Sequence, residues 1–299
     1  MSEQLFDPTA PLTPSGNLRR REFVGRLGVG ACTAAAVLAV AILAVVIFTV
    51  FKRGASSLSL DFLIKAPPIF GGPGGGIAPE LVGTIILVAL ATAIATPIGI
   101  LTALYLTEFA GGRFARVVQS AIDLMQGLPS IIVGVLVFGL LVAGHSESGY
   151  AASIALAIIM LPLVTRASQE VIARVPINLR EAADALGVNR WRTITGVVLP
   201  EARAGIVTGV ILAVARAAGE TAPLILLLGV FNQTQTSFNP FASGGMPNIP
   251  VEIFNLSEQA DPDSFSRAWG AAFVLLPMIL FANFLGRMIL ARSAKRTGR

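Results

Sequence analysis

Three charged side chains lie inside long apolar stretches of this 299-residue chain, where charge is costly. Arg216 and Glu220 occupy Ala215-Arg216-Ala217-Ala218-Gly219-Glu220-Thr221-Ala222-Pro223-Leu224, and Arg166 follows Leu163-Val164-Thr165. On one helix, residues four apart share a face, so Glu220 can hold Arg216 within a polar lumen. A guanidinium suits an oxyanion because its planar fork bonds two oxygens at once. Glu220 would keep such an anion from being held too tightly for release. It could also accept a proton from a monohydrogen or dihydrogen oxyanion. The residues alone leave two readings open, an anion path or a structural intramembrane ion pair, and Arg166 tilts the balance toward the path.

Other chemistry finds little support. Gly144-His145-Ser146-Glu147-Ser148 superficially matches a nucleophile elbow, but Ser148 replaces the closing glycine and the piece is a short loop. His145 is the only histidine and Cys32 the only cysteine, so neither an intrachain disulfide nor a metal site is expected. Cys32 lies in the first apolar run and reads as a small buried apolar residue. The run Gly71-Gly72-Pro73-Gly74-Gly75-Gly76 reads as a flexible turn rather than a phosphate loop, since no Gly-Lys pair occurs anywhere in the chain. No catalytic residue, metal or cofactor is expected, and no ATP hydrolysis by a Walker mechanism.

The elements that must position these residues are membrane helices. The chain is 54% hydrophobic and 13% charged, whereas soluble domains carry about a quarter charged residues. Six apolar segments, near 27–51, 79–106, 120–143, 151–173, 204–230 and 268–290, reach the length of a span. All are expected to be helical, because an open sheet edge cannot be satisfied in lipid. The first run is too long for a signal peptide core and is read as a retained span. Residues 1–26 form a cytoplasmic tail, polar and expected to be disordered over 1–18, and residues 291–299 form a basic one. Prolines 97, 129, 162, 223 and 277 fall in or at the edge of five spans and can kink them.

Basic residues set the orientation. With the N-terminus inside, the inner segments collect sixteen of the 22 Lys and Arg, including Arg19, Arg20, Arg21 and Arg26. The outer segments hold four: Lys52, Arg53, Lys65 and Arg267. That asymmetry predicts both termini and the 174–203 loop on the cytoplasmic side. It also explains the net charge of +5 without a nucleic-acid partner.

The 174–203 loop carries a pattern. Glu181-Ala182-Ala183 is followed after three residues by Gly187, then after nine by Val197, then by Leu199-Pro200. Asn178 is predicted to cap a short helix, with Glu181 three residues on completing a capping box. Small alanines allow close approach of another protein, and Gly187 suits a left-handed C-terminal position. A second helical piece is predicted from near Asn189, carrying Trp191 and ending around Leu199-Pro200.

With this loop the chain resembles the permeases of type I ABC importers over roughly residues 77–290, a MetI-like all-α fold of about six transmembrane helices. In that family the loop's short helix docks in a groove of a separate ATPase. The resemblance makes Glu181, Ala182, Ala183, Gly187, Leu199 and Pro200 the docking loop. The stretch from Ala215 to Leu224 is similar to the phosphate-specific (Pst) permeases, of the PstA type rather than the PstC type. Gly75-Gly76-Ile77 with Pro79, Val82-Gly83-Thr84, and Tyr105-Leu106-Thr107-Glu108 share that likeness. It implies that Arg166, Arg216 and Glu220, with Thr221 beside them, line a phosphate pathway in the prokaryotic cell membrane. It further implies a PstC-like permease partner, two copies of a cytoplasmic ABC ATPase and an extracytoplasmic phosphate-binding protein. The outer 231–267 segment is a plausible landing surface for the last. Rival readings are an ABC permease for sulfate, molybdate or phosphonate, and an ATP-independent channel or secondary transporter. A more distant rival is an intramembrane hydrolase.

Overall fold

The computed structural model describes residues 18–68, 74–109, 111–229 and 237–296. The N-terminal tail before residue 18, residues 71–73 of the glycine run, residues 231–236 of the segment predicted to lie outside and the last three residues lie outside them.

The first helix, α1, spans Leu18–Gly54. Up to Phe51 it forms a compact unit of its own, with Lys52–Arg299 the second. Its large apolar side chains from Phe23 to Phe48, and Phe51 beyond them, are exposed, with Val50 half-buried. Thirty-seven residues make a rod of ~55 Å, longer than the bilayer core, so the helix outruns the predicted 27–51 span at both ends. No breaker intervenes there, and Glu22 and Arg26 sit one turn apart on the N-terminal extension.

In the second unit a short helix, α2 (Leu60–Ile64), is capped by Ser59, whose hydroxyl accepts from the Phe62 amide at 3.0 Å. Helix α3 (Ala78–Leu104) runs straight into a π-turn, Tyr105–Phe109. Then the structure departs from expectation. The segment predicted as one span at 120–143 is two helices, α4 (Arg113–Gly127) and α5 (Ser130–Val137, with a π-turn to Val142), bent by 106°. Pro129 forces the break: it lacks a donor, and Leu128 before it is driven to extended backbone at ψ 134°. Helix α4 mixes Arg113, Arg116 and Asp123 with apolar residues, a two-faced composition unlike that of α5.

Helix α6 (Gly149–Ala173) is unbroken despite Pro162. Next come α7 (Ile177–Ala185) and α8 (Arg190–Thr193), then a π-turn (Ile194–Val198) that leads without interruption into α9 (Leu199–Ala218). The piece predicted to end near Leu199-Pro200 therefore continues. Pro200 sits in the first turn of α9, where its missing donor costs little. The predicted 204–230 span breaks after Ala218, and α10 (Ala222–Leu228) resumes beyond Gly219-Glu220-Thr221. Two further helices come next, α11 (Ile249–Glu258) and α12 (Pro262–Arg296). Among the described residues five helices are long and apolar enough to cross a membrane, or six if the bent α4–α5 pair counts as one.

Helices α3, α6 and α9 share the central core, with Leu87, Ala91, Leu156, Met160, Val164 and Ala213 buried in it. Close approach replaces bulk here. Gly205 and Gly209, four apart on α9, rest on Val171 and Ala167 of α6 with no room for a β-carbon. Such small-residue contacts hold helices together where lipid removes the hydrophobic drive. A second core at the loop end of the bundle joins Ala103 and Leu104 to Ile172, Val175, Ile194 and Val198. A third, at the opposite end, joins Phe62, Ile77, Ile249 and Ala271.

Candidate functional site

At the loop end, α7 begins at Pro176, whose ψ of 134° makes it the N-cap. Asn178 lies inside the helix, so the predicted capping box does not form; Pro176 already fixes the entry angle. The other terminus matches expectation. Gly187 has φ +68°; its amide donates to the Asp184 carbonyl at 2.9 Å, and the Val188 amide to Ala183 at 3.1 Å. These two bonds are the paired closure that a left-handed glycine permits at a helix end. Asn189 then caps α8 by accepting from the Arg192 amide at 2.9 Å.

Glu181, Ala182, Gly187 and Pro200 are exposed, Leu199 is half-buried and Ala183 is turned inward. Its methyl lets α7 lie flat against the rest of the loop, while Leu186 points outward, 82% exposed, with Trp191 also exposed. A rigid helix end presenting small residues and unpartnered apolar side chains is a surface shaped for another protein.

Arg216 lies in the last turn of α9, and its Nε is 3.5 Å from Glu220 Oε1. The pair predicted from four-residue spacing forms, but across the helix break rather than along one helix. Arg216 is 58% exposed on this chain and Glu220 15%. Arg216 also lines a cavity of about 230 Å³ at the α4–α5 elbow, with Gln126, Ser130, Ile159 and Pro162. Thr221 is half-buried beside Glu220, its hydroxyl 3.5 Å from the Gly219 carbonyl.

Arg166 does not line that cavity. Its Nη2 pairs with Asp123 of α4, a partner that sequence reasoning missed. Gln119 donates to the same carboxylate at 3.1 Å and accepts from Gln169 at 2.9 Å. Each of these two arginines thus has its own carboxylate. A guanidinium so paired could bind an oxyanion only by displacing or sharing that carboxylate.

Two further clusters of charged groups were missed. Arg180, in the first half of α7, reaches Glu108 in the π-turn after α3 at 2.8 Å. At the opposite end Glu80 is fully buried, and neither of its carboxylate oxygens has a hydrogen-bond partner among the described residues. It shares a tight crevice with Glu252 and Asn248. Burial pushes the Glu252 carboxyl above the usual glutamate range, and the nearby Arg267 guanidinium opposes the shift. Pro79-Glu80 at a helix start was the available signal, since acids favour first turns. Nothing in the sequence pointed to its burial. Among the described residues no cluster could hold a metal ion.

Comparison with known proteins bears on this arrangement. Residues 95–295 match the model of the family described as binding-protein-dependent transport system inner membrane component. A phosphate transport system permease protein PstA 1 of Mycobacterium tuberculosis is 38% identical over 217 residues, 72% of this chain and 70% of that protein. A phosphate transport system permease protein PstA of Pasteurella multocida is 37% identical over 255 residues, 83% of this chain and 88% of that protein. Among solved structures, a chain of a bacterial alginate ABC transporter superposes with a TM-score of 0.61 at 18% identity, covering 91% of this chain and 96% of that one. A chain of the inward-facing MetNI methionine ABC transporter gives 0.57 at 19% identity, covering 73% and 94%. At such identities the structural likeness speaks for the fold alone.

Proposed function

The chain belongs to the family of binding-protein-dependent transport system inner membrane components, and from that membership we propose that it is a permease subunit of an ABC importer for inorganic phosphate. The observation that carries the reading is the exposed Arg216, half-neutralised by Glu220 at the break in α9 and opening into the elbow cavity. A charge so placed within an apolar segment belongs on a water-filled path rather than against lipid. Identity of 37% over 83% of the chain with a PstA phosphate permease supports phosphate as the anion.

On this reading the 174–203 loop and both termini face the cytoplasm. Glu181, Ala182, Gly187, Leu199 and Pro200 present the docking surface to an ABC ATPase, and Ala183 seats α7 from behind. Two ATPase copies hydrolyse ATP, and this chain contributes no catalytic residue of its own. A PstC-like permease closes the far side of the path, covering the surface on which Arg216 is exposed. An extracytoplasmic phosphate-binding protein delivers the anion at the opposite end. There the 237–248 loop packs on Ser148 and Tyr150, the Tyr150 amide donating to the Pro240 carbonyl at 2.7 Å. Arg166, Arg216, Glu220 and Thr221 line the path.

Uptake of labelled phosphate at micromolar concentration, by cells lacking this chain with and without its restoration, tests the proposal. Restored uptake competed away only by unlabelled phosphate is the expected result. Competition by sulfate, molybdate or phosphonate moves the assignment to another oxyanion. Untouched phosphate uptake, with other phosphate systems deleted, overturns it.

A further inference from the structure

We propose that Glu108 and Arg180 form the joint through which movement of the docking helix α7 is passed to the membrane helices α3 and α6; this rests on the reading of α7 as an ATPase-docking element. Arg180 makes three bonds at once. Nη1 donates to the Val175 carbonyl at 2.7 Å, and Nη2 to the Ile172 carbonyl at 2.9 Å and to Glu108 Oε1 at 2.8 Å. Ile172 lies in the last turn of α6 and Val175 just past its end, so Arg180 adds a side-chain donor to the carbonyls that close that helix. Glu108 lies at the end of α3. One guanidinium on α7 is therefore tied to both helices, and those helices pack directly on each other through Gly99 and Val164.

Glu108 and Phe109 close the π-turn that follows α3. Phe109 makes a second link to the same loop, the Arg190 guanidinium lying 5.0 Å from its ring centroid. Around both links the apolar cluster of Leu104, Ile172, Val175, Ile194 and Val198 is buried.

The burial matters for transmission. The Arg180 and Glu108 side chains are only 20% and 10% exposed, in contrast to the surface pairs Glu22–Arg26 and Asp61–Lys65. A buried, multiply bonded pair resists separation, because parting leaves an unpaired charge out of water. A push on α7 is then delivered to α3 and α6 as rigid displacement and is not absorbed by bending between α7 and the bundle. Glu108 is a positioning residue in this scheme and touches neither phosphate nor nucleotide.

The test uses the whole transporter, with its ATPase, partner permease and binding protein, reconstituted in liposomes. Phosphate uptake and ATP hydrolysis are measured on the same preparation for the wild type, Glu108→Ala and Glu108→Gln. Glu108→Ala is expected to assemble with the ATPase and hydrolyse ATP, while phosphate moved per ATP falls on the order of tenfold. Glu108→Gln keeps an acceptor oxygen for Arg180 and is expected to recover part of that loss. Uptake and hydrolysis that fall together, in step with reduced assembly, would make the pair merely structural and overturn the joint. An unchanged ratio in Glu108→Ala would overturn it too. A wild-type complex that hydrolyses ATP without moving phosphate defeats the functional reading first, and the joint with it.

Discussion

Replacing Arg216 with glutamine separates the anion path from the structural ion pair. The structure gives the two roles different magnitudes. As a stabilising pair, Arg216 and Glu220 are 3.5 Å apart with Arg216 58% exposed, and so open a pair contributes about 0–1 kcal/mol. Assembly and thermal stability of Arg216→Gln should therefore stay close to wild type. As an anion ligand, the guanidinium supplies two charge-assisted bonds at about 1.5–3 kcal/mol each. Their loss lowers the rate of phosphate passage by roughly 10²- to 10⁴-fold, taking about 1.4 kcal/mol per decade. Glutamine keeps much of the length but neither the charge nor the fork. The assay pairs labelled-phosphate uptake with co-purification of the ATPase and partner permease. Abolished uptake in an intact complex is the expected result. Uptake within a factor of two of wild type would refute the anion-path argument for this residue, whatever Arg166 does.

The geometry sets three further outcomes. Glu220→Gln leaves Arg216 without its counter-charge, so phosphate should be held longer and uptake should slow or uncouple from ATP use; unchanged kinetics would favour the structural pair. Gly187→Ala meets open space, yet it forces a β-carbon into φ +68°, a strain of about 1–2 kcal/mol that loosens the end of α7. ATPase capture by the variant should drop, and equal capture in a pull-down would count against a preformed docking end. Glu252 is buried and its carboxyl is raised, so its favourable contribution is complete below the ordinary glutamate range and is lost as pH rises through the raised value. Thermal stability of the purified protein should therefore decline as pH rises above the ordinary glutamate range. Glu252→Gln should flatten that decline, although Glu80 and Arg267 still face the position; an identical pH profile in the variant would refute the assignment.

The parts of this fold that could be read from the sequence are those that a single segment decides. Length and hydropathy located the apolar segments, because a span needs only enough consecutive apolar residues. Gly187 was readable because only glycine closes a helix cheaply with positive φ. The partners of the charged residues were not, because they are distant in sequence. Asp123 is 43 residues from Arg166, and Glu108 is 72 from Arg180. No local pattern encodes which turn of α4 or α3 will face them. The misplaced cap at Asn178 has the opposite cause. The local signal was present, but Pro176 two residues earlier sets the backbone first.

Proline shows most clearly why the site itself was only half visible. Pro97, Pro162 and Pro277 lie inside continuous helices, whereas Pro129 and Pro223 stand at the starts of the helices that resume after a break. The missing donor is the same in all five. The two breaking prolines have a glycine two or four residues before them, Gly127 and Gly219, and so combine a lost hydrogen bond with a backbone that resists helix least. Hydropathy averages over such points and draws one span through each. Yet the two breaks create the candidate site. The 106° elbow at Leu128-Pro129 opens the cavity, and the gap after Ala218 frees Glu220 from the helix while keeping it within reach of Arg216. A continuous α9 would still set Arg216 and Glu220 one turn apart. The break changes how the backbone at 219–221 is held, the Gly219 and Glu220 amides bonding back to the Arg216 and Ala217 carbonyls at 3.1 and 3.2 Å, and broken membrane helices of this kind occur where they line a path.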